Sequence, residues 1–264
     1  MSDSPHDLVL AERRNAVGLL TINRPKTLNA LNIETLLALE AALTRFEQDS
    51  EVRVIVITGA GDKAFVAGGD IADLDSRQGL AHYQEFAEVI HRVFRRFEVC
   101  DKPTIGAING WALGGGTELL LTLDIRLVAE EAKLGLPEIT LGLFPGAGGS
   151  QRIIRQIPLC RAKELMFTGD QITAQEAVTL GLANRTVARA ALLDESMALA
   201  NRIAEKSPMT LKLLKRTLRD GADMPMSAAI AHEQAMIGLV LDSADAHEGC
   251  RAFLEKRRPQ FTGR

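Results

Sequence analysis

Apolar positions recur along this chain with two different periods, and each change of period marks out an element. Leu8 to Arg13 and Val17 to Ile22 are short apolar runs separated by Arg14, Asn15 and Ala16, which predicts a β-hairpin. From Ile33 to Gln48 the period becomes helical. Leu36, Leu37, Leu39, Leu43 and Phe46 fall on one side and charges elsewhere, the pattern of an amphipathic helix. Val52 to Thr58, closed by Gly59, is a β-branched run of the kind found in strands buried on both faces. Ala81 to Phe97 predicts a second amphipathic helix that ends before Pro103, and Thr104 to Ile108 and Ile125 to Ala129 predict further inner strands. Strand and helix alternate, so the fold class is α/β.

From about Ala190 the strand signals stop. Ser196 to Lys206, Pro208 to Arg219, Pro225 to Leu241 and Ala244 to Lys256 predict consecutive helices. The expected organisation is a core over residues 1–195 followed by a helical unit over residues 196–264. No fixed-period repeat, low-complexity tract or flexible linker separates them, so the two parts should pack closely.

Composition narrows the function classes. A chain of 264 residues, 46% hydrophobic and 25% charged, buries a sizeable core. Its net charge of -3 and pI near 6.0 give no global electrostatic footprint for nucleic acid. Cys100, Cys160 and Cys250 are odd in number, far apart and without Cys-x-x-Cys spacing, which fits a reduced, cytoplasmic setting. The segment Met1 to Asp7 is polar and acidic, unlike a secretory signal. No apolar stretch approaches the roughly 20 residues of a membrane-spanning helix. His6, His82, His91, His232 and His247 show no metal-ligand spacing, so no metal site is expected.

The candidate chemistry lies in two glutamates, each placed just behind glycines. Glu118 closes Gly114-Gly115-Gly116-Thr117-Glu118, and Glu138 closes Gly135-Leu136-Pro137-Glu138, ahead of Pro145-Gly146-Ala147-Gly148-Gly149. Chemistry on a carbonyl compound needs a group to move a proton and donors for the charge that builds on oxygen. The glycines 114–116 precede an expected helix from Thr117 to Leu123, whose first-turn N–H groups have no partner within the helix. Ala67-Gly68-Gly69-Asp70 is a second segment of this kind, with Asp70 a plausible N-cap for a short helix through Leu74. Taken singly, each glycine run reads as a tight turn and each glutamate as a complement to a helix dipole. Gly59-Ala60-Gly61-Asp62-Lys63-Ala64 formally matches a dinucleotide-binding pattern. The chain then runs into Phe65-Val66-Ala67-Gly68-Gly69 instead of a helix, so a tight surface turn is the better reading.

The segments Asn23-Arg24-Pro25-Lys26, Leu28-Asn29-Ala30-Leu31 and Ala64-Phe65-Val66-Ala67-Gly68-Gly69-Asp70-Ile71 resemble the enoyl-CoA hydratase/isomerase family, the crotonase superfamily. So do Asn109-Gly110-Trp111-Ala112-Leu113 through Leu119, Pro137 to Gly142, Gly149-Ser150-Gln151-Arg152, Glu248-Gly249 and Ala252 to Arg257, in order and spacing. The similarity spans nearly the whole chain. It implies a spiral of ββα units with a carboxy-terminal helical domain that assembles trimers, often paired into hexamers. It implies reversible syn addition of water to a trans-2-enoyl-CoA, giving a 3-hydroxyacyl-CoA, as in fatty acid metabolism. Glu118 and Glu138 fall at the two catalytic carboxylate positions, and Gly69 and Gly115 at the two N–H donors of an oxyanion hole. On the family's account Glu118 activates water and Glu138 supplies the proton at C2, though the residues themselves leave acid and base open. Lys26, Leu28, Ala67, Asp70, Ile71 and Ala72 should contact coenzyme A, with Ala67 near the adenine. Gly146 would sit beside the reacting water, and Phe253 and Lys256 would approach a neighbouring subunit's acyl-CoA. Coenzyme A is part of the substrate, and no separate cofactor is implied.

Gly69 stands where many members of the family carry alanine, and Trp111 where tyrosine is common; Trp111 is then either core or pocket wall. Leu74, the stretch Asp75 to Gly79, Leu143 and Phe144 are candidates to shape the acyl pocket. The runner-up activity is double-bond isomerisation or another acyl-CoA lyase reaction, and retention of both glutamates favours hydration. An RNA-binding use is disfavoured, because the helix from Ile33 to Gln48 carries Glu34, Glu40 and Glu47 against Arg45 alone. Lys212, Lys215, Arg216 and Arg219 form a possible basic face, more simply a solvated one. A noncatalytic acyl-CoA-binding protein would bind without turnover.

Overall fold

The buried apolar runs become one long sheet, and very short strands following them become a second. The computed structural model describes residues 8–76 and 79–264. The strands are β1 (Val9–Arg14), β2 (Val17–Ile22), β3 (Val54–Gly59), β4 (Ala64–Val66), β5 (Thr104–Ile108), β6 (Trp111–Leu113), β7 (Ile125–Ala129), β8 (Lys133–Gly135), β9 (Gln171–Thr173) and β10 (Arg185–Val187). β1 and β2 form the expected hairpin, closed by Asn15 and Ala16, with Asn15 at a φ of 55°, a conformation asparagine tolerates better than most residues. β2, β3, β5, β7 and β10 pair in parallel, giving the order β1-β2-β3-β5-β7-β10. Every residue of β3 and β5 is buried, which explains why both read as unbroken apolar runs. The second sheet has the order β4-β6-β8-β9.

These two orders describe a spiral. The chain passes from β3 to β4, from β5 to β6 and from β7 to β8, so each turn lays one strand in each sheet. The segments leaving β4, β6 and β8 therefore emerge side by side. They are the segments that carry Gly69, Gly115 and Glu138. The ββα architecture expected from the resemblance is the observed one.

The helix Ile33–Gln48 begins where expected, capped by Asn32, whose side chain accepts the Thr35 N–H at 2.9 Å. Its buried face packs on β1, β2 and the helix Leu80–Val99. Two helix boundaries differ from expectation in an informative way. The helix expected from Thr117 to Leu123 is Gly115–Leu120, so Gly115 and Gly116 lie within its first turn and only Gly114 precedes it. A Cβ at Gly116 would overlap the Val66 carbonyl oxygen, so the small residues that look like a loop are what lets this helix lie against β4. The helix expected from Ser196 starts at Arg189 and runs to Ala204. Ser196 is not near its start. With Leu192, Ala200 and Ala204 it forms the buried face against the main sheet, and the division expected at 195/196 falls inside this helix.

Three further helices follow, Pro208–Gly221, Met226–Leu241 and Ala244–Leu254. The last residues fold back over them. Asp245 accepts the N–H groups of Thr262 at 2.7 Å and Gly263 at 2.9 Å, and Arg53 donates to the carbonyls of both Ala204 and Phe261. Among the described residues no helix is long and apolar enough to cross a membrane.

Candidate active site

Three backbone hydrogen bonds bring the first two loops together. Ala67 N–H donates to the Leu28 carbonyl at 3.0 Å, Leu31 N–H to that of Gly68 at 2.9 Å, and Asp70 N–H to that of Leu31 at 2.8 Å. The Arg24 guanidinium closes the set with a 2.9 Å ion pair to Asp70. Lys26 is exposed on the 3-10 turn Pro25–Thr27, Leu28 and Ala67 are half-buried, and Ile71 and Ala72 are exposed at the start of the helix Ile71–Ser76. Asp70 precedes that helix, and its carboxylate faces the Asp73 N–H at 3.4 Å. The structure thus brings side by side the two segments that carry the expected coenzyme A residues.

The second glycine loop lies against this one. A Cβ at Gly115 would stand 3.6 Å from the Gly69 nitrogen, so the two residues are neighbours. Among the described residues neither Gly69 N–H nor Gly115 N–H has a hydrogen-bond acceptor. Gly115 is the first residue of its helix, where an N–H is free for an anion and the helix dipole favours negative charge. The turn into that helix needs a φ of 51° at Gly114, which glycine adopts readily. The Thr117 hydroxyl, 2.6 Å from the Ala112 carbonyl and 2.9 Å from that of Gly135, ties the helix to β6 and β8.

Glu118 and Glu138 sit in unlike surroundings. Glu118 is 3% exposed, and its Oε1 accepts N–H groups from both Ala147 and Gly149 at 2.8 Å. Burial raises its pKa, while the two N–H donors and the positive charge of Arg152 oppose that rise. Glu138 lies in the 3-10 turn Pro137–Leu141, and among the described residues its buried Oε2 has no hydrogen-bond partner. Burial pushes its carboxyl up to about 7, its own backbone N–H opposes this, and the negative charge of Glu118 adds to it. Glu138 is therefore poised to hold a proton near neutral pH, and Glu118 is the carboxyl that receives two backbone hydrogen bonds. Glu118 and Glu138 thus differ in hydrogen bonding, an arrangement that can divide acid and base roles between two carboxyl groups.

Gly146 is exposed in the loop beside Ala147. Leu74 is half-buried, its Cδ1 3.5 Å from where a Cβ would project from Gly69. Leu143 and Phe144 are exposed, Phe144 by 72%. Residues 77–78 of the Asp75 to Gly79 stretch lie outside the described residues. Trp111 is 42% exposed, so it is not core. Phe253 and Lys256 stand apart, at and just beyond the end of the last helix. Phe253 is 83% exposed, and among the described residues no hydrogen bond or ion pair joins either side chain to the glycine loops.

The segment Gly59 to Ala64 is a turn between β3 and β4, held by the side-chain amides of Asn29 and Asn109, and no helix starts within it. The basic face on Pro208–Gly221 is paired: Lys212 and Arg216 with Asp101 at 2.7 Å, Lys215 with Asp124 at 2.7 Å, and Arg219 with Asp220 at 2.8 Å. Such a face offers little net charge to a phosphate backbone. Among the described residues no group of three His, Cys, Asp or Glu side chains is arranged to hold a metal ion.

A ββα spiral with two adjacent unpartnered N–H groups and two glutamates in unlike surroundings has the features of an enzyme that acts on a polarised carbonyl compound. Known proteins narrow the class. Residues 12–264 match the family model described as enoyl-CoA hydratase/isomerase. The chain is 39% identical over 250 residues to the short-chain-enoyl-CoA hydratase of Clostridium acetobutylicum, covering 95% of both chains. It is 41% identical over 256 residues to the crotonyl-CoA hydratase of Syntrophomonas wolfei, covering 97% of this chain and 98% of that one. Among solved structures, an enoyl-CoA hydratase from Bacillus anthracis superposes with a TM-score of 0.94 at 36% identity, over 97% of this chain and all of that one. The chain belongs to the enoyl-CoA hydratase/isomerase family.

Proposed function

We propose that this protein is an enoyl-CoA hydratase that adds water reversibly and syn across the double bond of a trans-2-enoyl-CoA. The observation that carries this is the pairing of a hydrogen-bonded Glu118 with a Glu138 whose buried Oε2 has no partner among the described residues, beside two free N–H groups. In the hydration direction Glu118 orients water and takes its proton as oxygen bonds to C3. The π electrons move onto the thioester oxygen, where the N–H groups of Gly69 and Gly115 stabilise the enolate; one such donor is typically worth about 3 kcal/mol. Glu138 then gives its proton to C2, and the cycle closes when the proton on Glu118 passes on to Glu138 or to solvent. Dehydration uses the same groups in reverse.

Gly146 supports the reacting water in this mechanism. Lys26, Leu28, Ala67, Asp70, Ile71 and Ala72 hold coenzyme A, which enters as part of the substrate, with no further cofactor. Both carboxylates are retained, which favours hydration over isomerisation as the main reaction. A cytoplasmic location accords with Cys100, Cys160 and Cys250 being free thiols.

The test is loss of the enoyl-thioester ultraviolet absorbance on incubation with crotonyl-CoA, with 3-hydroxybutyryl-CoA confirmed by mass spectrometry. Acyl-CoA binding without turnover on crotonyl-CoA or longer enoyl-CoA substrates would overturn the proposal in favour of a binding role.

Assembly is proposed on separate grounds. The helix Met226–Leu241 has no buried residue although it is rich in apolar ones, and Ile230, Ile237, Leu239 and Leu241 are exposed. A helix that is apolar all round is stable only when covered. The occupant is a second and third copy of this chain, which would bring Phe253 and Lys256 toward a neighbour's acyl-CoA. Light scattering is expected to give a trimer or a pair of trimers in solution, and a monomer would contradict it.

A further inference from the structure

Arg152 lies on the short helix Gly149–Ile153, whose first residue, together with Ala147 in the loop before it, supplies the N–H donors to Glu118. Its guanidinium meets Glu98 in a two-point pair, Nε to Oε1 at 3.2 Å and Nη2 to Oε2 at 3.1 Å. The remaining nitrogen, Nη1, donates to the Ala147 carbonyl at 3.1 Å. Ala147 is the residue whose N–H holds Glu118, so guanidinium and carboxylate are connected through one residue of the loop. The Arg152 side chain is 15% exposed, and Gly148 leaves it the space, because a Cβ there would overlap Nη1.

We propose that Arg152, anchored by Glu98, is the positioning residue for Glu118, fixing the loop so that the N–H groups of Ala147 and Gly149 converge on one carboxylate oxygen. The inference rests on Glu118 as the group that activates water. A second effect runs in the same direction. Arg152 is the positive charge that opposes the rise imposed on Glu118 by burial. The other charged groups around it are Glu138, on the turn Pro137–Leu141, and Glu98, on Leu80–Val99, which reaches it through Arg152. A planar fork is needed for this geometry. Lysine supplies the charge without the two-point hold.

The test uses the full chain with Arg152→Met, Arg152→Lys and Glu98→Gln. An infrared titration follows the Glu118 carboxyl, its band identified by loss in Glu118→Gln, alongside butyryl-CoA affinity and crotonyl-CoA kinetics. Arg152→Met is expected to raise the Glu118 midpoint by about one pH unit or more. It should also lower kcat roughly 100-fold while butyryl-CoA affinity stays near wild type. Arg152→Lys should restore the midpoint more fully than kcat. Wild-type midpoint and wild-type kcat in Arg152→Met would overturn the proposal. Should that variant fail to fold, Glu98→Gln decides: kcat is expected to fall roughly 10-fold at unchanged KM, since a loosened fork misplaces the loop, and an unchanged kcat would overturn it. The infrared arm needs no turnover. A wild-type enzyme inactive on every enoyl-CoA would therefore sink the hydratase assignment while the titration still decides the link between Arg152 and Glu118.

Discussion

Replacing Glu138 by glutamine is expected to lower the rate of crotonyl-CoA hydration by roughly 1,000-fold, within the range that positioned acid–base groups contribute. Acyl-CoA affinity should stay close to wild type, because the amide keeps the shape of the side chain and removes only the transferable proton. Glu118→Gln should behave alike, since an amide nitrogen cannot take a proton from water. Near-normal turnover in either variant would remove that residue from the mechanism. The pH profile gives an independent check. In the proposed mechanism hydration needs Glu118 ionised and Glu138 protonated, so the rate should fall on the acid side as Glu118 gains a proton and on the basic side above about 7 as Glu138 loses one. The two limbs belong to the pair rather than to either group alone.

Stability should move the opposite way. The carboxyl of Glu138 is raised to about 7 in the folded protein. In the unfolded chain a glutamate titrates near ~4.3. Between these values the folded state binds more protons than the unfolded one, so wild-type stability declines as pH rises through the window and levels off above it. Glutamine carries no charge to desolvate. Glu138→Gln should therefore melt higher than wild type above neutral pH, by several degrees, and the gap should close toward about pH 4. A variant less stable than wild type at pH 8 would show that the buried carboxylate is not under strain.

Much of this could be read from the residues, for reasons that also explain what could not. The helix Ile33–Gln48 announces itself because it buries one face, Leu36, Leu39, Leu43 and Phe46, and caps itself with Asn32. β3 and β5 announce themselves because both faces are covered. The second sheet was invisible. Ala64–Val66, Trp111–Leu113 and Lys133–Gly135 are each three residues long, too short to show a period of two. Gly115 and Gly116 look like loop because glycine has poor helix propensity, yet both lie in the helix, and at Gly116 close packing on Val66 leaves no room for a Cβ. The two glutamates and two oxyanion glycines stood out through the order of their motifs. Their division of labour did not, since it depends on the direction of the Ala147 and Gly149 N–H groups and on the absence of a partner at Glu138 Oε2. Arg152 stands in one of the matching blocks, which by itself gives it no role. Its partner Glu98 lies 54 residues away, on a helix that sequence pattern alone could not place beside it.

Gly149→Ala is expected to lower hydration by roughly 100- to 1,000-fold while leaving the protein folded, an effect of one methyl group on the placement of one carboxylate. Gly149 has no left-handed backbone to protect; it is the first residue of a short helix, where alanine is ordinarily the better residue. The objection is spatial. A Cβ at this position would stand 2.6 Å from Glu118 Cγ and 2.8 Å from Oε1, distances that side-chain and carboxylate atoms do not tolerate. Glu118 is buried and fixed by two N–H groups, one of them from Gly149 itself, so the carboxylate cannot swing away and keep its hydrogen bonds. Either it leaves the position proposed for activating water or the loop carrying Ala147 moves off it, and both break the hydrogen bonds that oppose protonation of Glu118. Loss of the two donors should also raise the Glu118 titration midpoint, because the desolvation they oppose remains. Thermal melting and butyryl-CoA affinity serve as the readouts that should change least. A folded Gly149→Ala protein with wild-type kcat would mean that hydration does not depend on this carboxylate being held where the structure puts it.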